Sequence, residues 1–401
     1  MATVFLKPGR DQRASAGYLW IFAGEIARLE GQVEDGGIVD VRAIRGQWVG
    51  RGFLNRNSTL TVRLLTFGHE EIDEAFFRRR LQQALAYRQR VLGTARAFRA
   101  VYGEADALPS LIVDRYGDVV VMQTLALGME VRKPLLAGLL AELLQPVAIY
   151  ERNDPPVRRL EGLPSQTGWL RPAPDGAGLR GEADSLVEVE EGRARLLVDV
   201  ARGQKTGGFL DQRENRLAVA ALCDGAAVLD AFCYTGAFAV QAALAGATQV
   251  TGIEISGEAA ALAKRTADLN GVGDRCAFTV ANAFDELRRL VSVHAQFDVV
   301  ILDPPPFARG REAVPRALAG YKEVNLRAMK LLRPGGILIT CSCSHHVGEA
   351  QLLEVVAAAS ADAQRAVRLI ESRGQSRDHP VHPAMPETRY LTCLVLEIRP
   401  R

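Results

Sequence analysis

The chain has 401 residues, of which 48% are hydrophobic and 24% charged, and its formal net charge at pH 7 is +2. This length allows two or three domains with a sizeable core, and the composition is ordinary for a globular protein. No run of about 18 uncharged apolar residues occurs, which argues against a membrane span. The N-terminal segment lacks the apolar stretch of a secretory signal, so we expect a cytoplasmic protein.

Residues 1–70 are predicted to form a small β-rich domain. Short runs with partial alternation of apolar and polar residues are separated by Gly and Asn turns. The runs are IVDVRAI, QWVGRGFLN and TLTVRLLTF. Basic and aromatic residues are interleaved before them, at Lys7, Arg10, Arg13, Tyr18, Trp20 and Phe22. Such a mixture suits contact with RNA, and it suits the core of a small barrel equally well.

Residues 71–188 are predicted to form a small central α+β domain. A helical pattern runs from about Asp73 to Leu92, and a second amphipathic helix is KPLLAGLLAELL. The strand-like runs are LPSLIVD, VVVMQTLAL and VAIYERN. The Pro-, Gly- and Ala-rich stretch at 171–184 predicts a linker or an exposed loop.

A basic run lies in the first helix of this domain and just beyond it. It contains no acidic residue, and its arginines are Arg78, Arg79, Arg80, Arg88, Arg90, Arg96 and Arg99. One interpretation is a solvated helix face. The other is contact with RNA, because arginine binds phosphate and a basic surface lets bound RNA release its counterions. Both stay open, and Arg78, Arg79 and Arg80 are our candidate RNA contacts.

Residues 189–401 alternate strand and helix in a regular way. The strand-like runs are AVLDAF, QVTGIEI, CAFTVANA, FDVVILD, GILITCSCS, AVRLIESR and YLTCLVLEI. Apolar strands alternating with helices predict a doubly wound, mostly parallel sheet of α/β class. The last two runs have no obvious helix between them, which predicts an antiparallel hairpin at one edge. Seven strands in this pattern are typical of the methyltransferase variant of the Rossmann architecture.

Three successive strands of this domain end in residues that suit a nucleoside-containing cofactor. The first is followed by Asp-Ala-Phe-Cys-Tyr-Thr-Gly at 230–236, and Gly236 then opens a helix. This loop has a single glycine, so it is not a dinucleotide fingerprint. The second strand ends in Glu254, where a carboxylate can accept both ribose hydroxyls, and the third ends in Asn282 and Ala283, near an adenine edge. Each residue also has an ordinary explanation, such as helix capping.

The next two strands end in residues that suit chemistry on a base. Asp303 is followed by three prolines and Phe307, so it can bond a ring nitrogen while Phe307 stacks on a flipped base. The alternative for these two residues is a helix cap and a core aromatic.

After the fifth strand, Cys341 and Cys343 are two residues apart and share a face in extended backbone. A thiolate there can attack C6 of a pyrimidine and make C5 electron-rich. His345 and His346 nearby can lower the thiol pKa, although surface histidines after a strand are common.

The six cysteines contain no Cys-x-x-Cys pair, so we expect no structural zinc or other metal site. A reducing compartment also argues against disulfides. Most of these cysteines are predicted to be small core residues. Cys341 and Cys343 are the exceptions, because they stand at the predicted mouth of the sheet.

The motifs together resemble the bacterial large-subunit ribosomal RNA cytosine-5 methyltransferases with an N-terminal PUA domain, over nearly the whole chain. They are Gly-Glu-Ala-Asp at 103–106, Ile-Val-Asp-Arg-Tyr-Gly-Asp at 112–118, Gly-Gln-Lys-Thr-Gly at 203–207, Phe-Leu-Asp-Gln-Arg-Glu-Asn-Arg at 209–216, the 230–236 loop, Asp-Pro-Pro-x-Phe at 303–307, Cys-Ser-Cys-Ser at 341–344, Asp-His-Pro at 378–380 and Pro-Glu at 386–387. Related guanine methyltransferases share some of these motifs, so the combination is less specific for the target base.

The resemblance implies a PUA fold, an RNA-positioning central domain and a C-terminal domain that binds S-adenosylmethionine. The implied cofactor contacts are Gln212, Arg213, Asp230, Phe232, Tyr234, Thr235, Gly236, Glu254, Ile255, Asn282, Ala283 and Asp303. The candidate substrate contacts are Lys205, Phe307, Arg78, Arg79 and Arg80. The expected partners are large-subunit ribosomal RNA and, in a homodimer, a second copy of the chain.

The residue that resembles the family's nucleophile is Cys343, and members commonly have another residue at position 341. Two positions depart from the family. Gly208 stands where a larger apolar residue is usual, and no cysteine follows Pro304 and Pro305, which leaves the group that resolves the adduct unassigned. The predicted catalytic pair is Cys343 and Asp303. Alternatives are methylation of a guanine or an exocyclic amine, a small-molecule methyltransferase, and a non-catalytic RNA-binding assembly factor.

Overall fold

The computed structural model describes residues 1–171, 185–308, 310–344 and 346–401. His345 and nearly all of the predicted linker at 171–184 lie outside these residues. The chain divides into two compact units. The N-terminal unit comprises Met1–Val189, Val198–Leu210 and Arg377–Thr388, and the C-terminal unit comprises Glu190–Leu197, Asp211–Ser376 and Arg389–Arg401. The three domains drawn from the sequence, 1–70, 71–188 and 189–401, stay a prediction.

The N-terminal unit begins with a six-stranded, barrel-type sheet in the order β2-β6-β5-β4-β1-β3. Its elements are β1 (Thr3–Leu6), α1 (Gln12–Ser15), β2 (Trp20–Phe22), β3 (Ile26–Glu30), β4 (Ile38–Arg42), β5 (Trp48–Leu54) and β6 (Leu60–Thr66). The three predicted runs form β4, β5 and β6. Strand β1 pairs parallel with β4 and antiparallel with β3, so pairing between distant segments adds three strands that the local pattern did not predict.

The same unit contains a five-stranded sheet in the order β11-β10-β9-β8-β7. Its elements are α2 (Glu74–Leu92), β7 (Ala97–Tyr102), β8 (Leu111–Tyr116), β9 (Val119–Thr124), α3 (Leu127–Glu130), α4 (Lys133–Leu144), β10 (Ala148–Asn153) and β11 (Gln166–Arg171). The side chain of Asp73 caps α2 by accepting from the Phe76 amide. The predicted helix from about Asp73 to Leu92 is present as α2, and Phe76, Phe77 and Leu81 are buried in the same core as the strands. A two-stranded sheet follows, formed by β12 (Leu186–Glu191) and β13 (Ala194–Asp199).

The C-terminal unit is built on a seven-stranded sheet in the order β16-β15-β14-β17-β18-β20-β19. Its elements are α5 (Arg213–Ala220), β14 (Ala227–Ala231), α6 (Ala237–Leu244), β15 (Gln249–Glu254), α7 (Gly257–Leu269), β16 (Cys276–Val280), α8 (Ala283–Ser292), β17 (Phe297–Leu302), α9 (Val314–Leu331), β18 (Leu332–Ser342), α10 (Glu349–Ala363), β19 (Arg365–Arg373) and β20 (Thr392–Pro400). The predicted seven-stranded α/β sheet is confirmed. The antiparallel pairing of the last two strands is also present, and β20 additionally pairs antiparallel with β18.

Strand order explains where a ligand site is expected in this sheet. The chain passes from β14 outwards through β15 to β16, and then returns to the other side of β14 as β17. The order reverses at β14, and in open parallel sheets ligands bind beyond the carboxyl ends of the strands at such a point. Strand β20 is buried nearly throughout because it lies between β18 and β19, whereas β19 forms the edge of the sheet and is largely exposed. Across the described ranges, no helix has both the length and the apolar character needed to cross a membrane.

Candidate functional site

The loop that follows β14 holds two non-glycine residues in the left-handed region of backbone space. These are Phe232, with φ +66°, and Tyr234, with φ +49°, and Gly236 follows with φ +76°. Left-handed backbone is costly for residues with a side chain, and such strain concentrates at ligand sites. At Gly236 an added Cβ would lie 2.9 Å from the Ala263 Cβ, so the close approach of α7 also requires glycine. Thr235, partly exposed, completes the turn into α6.

Asp230, at the end of β14, is fully buried beneath this loop. Its Oδ2 accepts a hydrogen bond from the Ala239 amide at 3.1 Å, while Oδ1 has no hydrogen-bond partner in the part of the chain that the structure describes. Burial, together with the nearby negative charge of Asp303, raises the pKa of Asp230 well above its usual value. A buried carboxyl with one unsatisfied oxygen fits a ligand that brings a hydrogen-bond donor into the crevice.

Glu254, at the end of β15, is oriented by the backbone on both sides. Its Oε2 accepts from the Tyr234 amide at 2.9 Å, and its Oε1 accepts from the Ser256 amide at 2.9 Å. Each carboxylate oxygen has a second acceptor position, so a fixed carboxylate of this kind can accept two vicinal ribose hydroxyls. Ile255 follows with 69% of its surface exposed, which leaves an apolar side chain at the rim.

Asn282, after β16, caps α8 by accepting from the Phe284 amide at 2.9 Å. Ala283 is the first residue of the helix and is buried. The capping interpretation of Asn282 is therefore correct for its side-chain oxygen. Contact of Asn282 and Ala283 with an adenine stays a prediction, and it is compatible with the cap because the amide nitrogen is not used in it.

Asp303, after β17, is half-buried and is brought next to Gln212, which lies far away in the sequence. The Gln212 amide donates to Asp303 Oδ1 at 2.9 Å, and the Asp303 amide donates to the Ala231 carbonyl at 3.4 Å. Gln212 is almost completely buried, as is Arg213, whose guanidinium lies 3.3 Å from Glu214. The structure thus places Gln212 and Asp303 together at the end of β14.

Cys343 lies just beyond β18, partly exposed, and the segment around it is fastened to the loop that follows Asp303. The Cys343 Sγ is 3.8 Å from the Pro304 carbonyl oxygen. Its neighbour Ser344 donates to the Ala308 carbonyl at 3.1 Å. Ser342 donates to the Tyr321 hydroxyl at 3.1 Å. The two predicted catalytic residues therefore come from adjacent strand ends that are held together by hydrogen bonds.

Cys341 differs from Cys343 in its surroundings. It is fully buried and lies opposite Cys393 of β20. A hydrogen bond with the Cys393 thiol, followed by burial, raises the Cys341 pKa well above its usual value. Cys341 is therefore held as a neutral, inaccessible thiol, which is the state expected of a core residue. Within the described ranges, no group of three or more His, Cys, Asp or Glu side chains is placed to hold a metal ion.

Phe307 belongs to an aromatic cluster beside the loop after β14. Its ring centroid is 4.6 Å from that of Tyr321, 5.6 Å from that of Phe284 and 6.4 Å from that of Phe232. The ring is only partly buried. The contacts with these aromatic rings account for one side of the Phe307 ring. Stacking of its other side on a base stays a prediction.

The candidate RNA contacts of the N-terminal unit have acidic neighbours, one of which is four residues earlier on the same helix. The ion pairs are Arg78–Glu74, Arg78–Glu142, Arg79–Glu70 and Arg80–Glu70. Two further arginines of the run are buried, Arg88 against Asp106 and Arg99 against Asp114. The run is therefore not a continuous basic face, because carboxylates from outside it neutralise part of the charge. Binding of RNA by Arg78, Arg79 and Arg80 stays a prediction.

The Gly-Gln-Lys-Thr-Gly loop at 203–207 lies in the N-terminal unit and is tightly held. Thr206 is buried and donates to Asp114 at 2.6 Å. Lys205 is exposed, has φ +53°, and places its ammonium 4.5 Å from the centroid of the Phe209 ring. The unusual Gly208 donates to the Tyr116 hydroxyl at 3.2 Å, so the loop keeps an anchor at this position.

Asn215 is a site residue that the sequence analysis missed as an individual side chain. It is buried and bonds Gln212, which in turn bonds Asp303. The available signal was its place in the 209–216 motif, one helical turn after Gln212. The partner that orients it, Arg373, comes from β19 and could not be found from the sequence.

Comparison with known proteins agrees with this architecture. Residues 167–386 match the family described as S-adenosylmethionine-dependent methyltransferase, and residues 4–67 match a PUA-like domain. The chain is 38% identical over 398 residues to ribosomal RNA large subunit methyltransferase I of Shewanella amazonensis, with 98% of each chain covered. It is also 38% identical over 401 residues to the protein of that name in Alteromonas mediterranea, with 99% of each covered. A solved structure of SMU.776, described as a methyltransferase complexed with SAH, has the same fold, with a TM-score of 0.84, 18% identity, and 99% of this chain and 100% of that one covered.

Proposed function

The chain belongs to the S-adenosylmethionine-dependent methyltransferase family, and from this premise we propose that it methylates C5 of a cytosine in large-subunit ribosomal RNA through a covalent bond between Cys343 and C6. The RNA class is supported by relatives named as ribosomal RNA large subunit methyltransferases, which match over almost their full length. The PUA-like segment at 4–67 supports the same class of substrate. The cytoplasmic location and the homodimer stay predictions.

The observation that carries the cytosine-5 proposal is the contrast between the two cysteines. Cys343 is partly exposed and is fastened to the loop that follows Asp303. Cys341 is sealed in the sheet as a neutral thiol. Methylation of a guanine or of an exocyclic amine needs no thiol at this strand end, whereas addition to C6 of a pyrimidine needs one.

The residues around β14 and β15 suit the cofactor. When bound, S-adenosylmethionine supplies the methyl group as an electrophile. Asp230 provides an unsatisfied buried oxygen for a donor group, and Glu254 provides an oriented carboxylate for hydroxyls. The left-handed turn at Phe232 and Tyr234 lets the backbone follow the ligand closely. These roles are part of the proposal.

In the proposed reaction the Cys343 thiolate forms a bond from Sγ to C6, and N3 takes the proton of the Asp303 carboxyl. The electron pair of the C5–C6 double bond thereby becomes available at C5, which takes the methyl group. A base or water then removes the C5 proton. Elimination breaks the Sγ–C6 bond, re-forms the double bond and returns the N3 proton to Asp303. Because methyl transfer needs in-line approach, positioning supplies much of the rate.

The direct test is a map of modified bases in ribosomal RNA from cells with and without this gene. We expect one 5-methylcytosine of the large-subunit RNA to disappear when the gene is absent and to return when it is restored. If the cells without the gene instead lose a methylated guanine or a methylated exocyclic amine and keep every 5-methylcytosine, the proposed covalent mechanism would be replaced by a non-covalent one. An unchanged map together with undetectable S-adenosylmethionine binding would support a non-catalytic assembly factor.

A further inference from the structure

Four side chains of the C-terminal unit form a line of hydrogen bonds that ends on Asp303. The Arg373 Nε donates to Asn215 Oδ1 at 2.9 Å. The Asn215 Nδ2 donates to Gln212 Oε1 at 2.6 Å, and the Gln212 Nε2 donates to Asp303 Oδ1 at 2.9 Å. Asn215 and Gln212 are only 1% and 2% exposed, so water has little access to replace these bonds.

The chemistry of the two ends allows a single orientation of both amides. A guanidinium can only donate, and the Gly374 carbonyl, 3.1 Å from Asn215 Nδ2, can only accept. Asn215 must therefore keep its oxygen towards Arg373 and its NH2 group towards Gln212. Gln212 must then accept from Asn215 and donate towards Asp303. Arg373 is itself anchored by an ion pair with Glu371.

This orientation fixes which group meets Asp303 Oδ1. Oδ1 receives an N–H of Gln212, and this hydrogen bond holds the carboxyl in place. We propose that Asn215 is a positioning residue, which acts through Gln212 to hold the Asp303 carboxyl in the orientation that meets the base. The inference rests on the proposed function, in which Asp303 gives its proton to N3.

Asp303 also interacts electrostatically with other groups of this unit, namely Asp230, Arg216, Cys341 and Tyr321. Gln212 donates to the Oδ1 oxygen, and the direction of its amide is set by Asn215.

The change Asn215→Asp tests the inference with almost no change of shape. Its second carboxylate oxygen would face Gln212 Oε1, so the Gln212 amide turns and presents its oxygen to Asp303. The hydrogen bond that holds the Asp303 carboxyl is then lost. With saturating cofactor we expect kcat to fall about 10- to 100-fold, less than the roughly 10²- to 10⁴-fold typical of removing a general acid, because Asp303 itself is kept. The KM for RNA should change less than about threefold, because every side chain that would touch the substrate is kept.

The matched control is Asn325→Asp, which places the same new carboxyl at a fully buried asparagine of α9 in the same unit. Its amide donates to the Tyr321 carbonyl and takes no part in the line to Asp303. This variant should lose thermal stability while kcat stays within about threefold of the wild type. Asn215→Ala, which adds no charge, should lower kcat less than Asn215→Asp does.

The deciding measurement is made in a Gln212→Ala background. If Asn215 acts through Gln212, adding Asn215→Asp to Gln212→Ala should change kcat by less than about twofold. An equal loss of kcat with and without the Gln212 amide would assign Asn215 a purely structural role, and wild-type kcat in Asn215→Asp would also overturn the inference. Asp303→Asn separates the two proposals: wild-type kcat in that variant would remove Asp303 from the proposed mechanism itself.

Discussion

Asp114 in the N-terminal unit and Asp230 in the C-terminal unit are both fully buried, yet their surroundings differ. Arg99 donates to both oxygens of Asp114 at 2.8 Å, and Thr206 adds a third hydrogen bond at 2.6 Å. Asp230 has one partner, the Ala239 amide, and its other oxygen is unsatisfied among the described residues. In a saturated carboxylate both oxygens have partners, so removing it leaves a buried charge unpaired, whereas an unsaturated one can take a partner that is not part of the chain.

The residues of the sequence motifs fall into the same two groups, one around Asp114 and the other around Asp230. Asp114, Thr206 and Asp378 belong to the saturated cluster, in which Asp378 accepts from the Arg99 amide at 2.9 Å. Glu254 and Asp303 belong with Asp230 at the strand ends of the C-terminal sheet. Motif residues of equal prominence in the sequence therefore lie in two kinds of surroundings, of which Asp114 and Asp230 are the extremes.

The largest expected effect is at Cys343. Cys343→Ala should abolish methyl transfer, because the nucleophile is removed, while folding and cofactor affinity stay close to wild type. The wild-type enzyme should form a trapped adduct with RNA that carries 5-fluorocytosine, since fluorine at C5 cannot leave as a proton. Methyl incorporation and denaturing gels measure these two results.

Cys341→Ala is the matched control for this change. Its thiol is sealed in the sheet, so methylation and adduct formation should persist, although the side chain no longer packs fully against Cys393. If only the Cys341 change eliminates the adduct, the two roles are exchanged. Normal methylation by both variants would end the covalent mechanism.

The next largest effect should be Asp114→Asn, which tests the saturated region. The change leaves the buried Arg99 without a balancing charge, and breaking a buried ion pair costs about 3–5 kcal/mol. Urea unfolding followed by fluorescence should show this loss, while binding of S-adenosylmethionine by the folded protein is retained. A loss below about 1 kcal/mol would show that saturation does not mark a stabilising cluster.

The same substitution at Asp230 should act in the opposite direction on stability. Because its pKa is raised in the folded state, Asp230 binds a proton more tightly folded than unfolded, so it increasingly destabilises the fold as the pH rises from 3.8 towards the folded pKa. Asp230→Asn should match the wild type near pH 3 and unfold at a higher urea concentration at neutral pH. Cofactor affinity, measured by calorimetry, should fall. A difference in stability that does not vary with pH would contradict this account.

The smallest expected effect is on RNA binding by the arginine run. Replacing Arg78, Arg79 and Arg80 with Gln should lower RNA affinity and flatten its dependence on salt, by about 0.7–0.9 in the logarithmic slope for each phosphate that an arginine no longer neutralises. Cofactor binding should not change. The effect is small because these residues already pair with Glu70, Glu74 and Glu142, which compete with phosphate. An unaltered slope would make the run a solvated face.

The amino-acid sequence by itself determined the order of strands and helices in the C-terminal unit and the polar residues at the strand ends. Both are local properties: apolar runs of strand length alternate with helical periodicity, and the carboxyl ends of parallel strands meet at one edge. Asp230, Glu254 and Asp303 could therefore be chosen from the sequence alone. Their roles towards cofactor and base stay predictions.

Only the tertiary structure decided which charges meet and which cysteine is accessible. Arg99 pairs with Asp114 on the neighbouring strand, but its amide bonds Asp378, 279 residues away. Asn215 bonds Arg373, which is 158 residues away. Cys341 is sealed because β20 inserts beside β18 rather than at the edge of the sheet. Periodicity reports which face of an element is apolar, but it does not report which distant segment packs against that face, and the packing partner decides whether a buried polar group is satisfied.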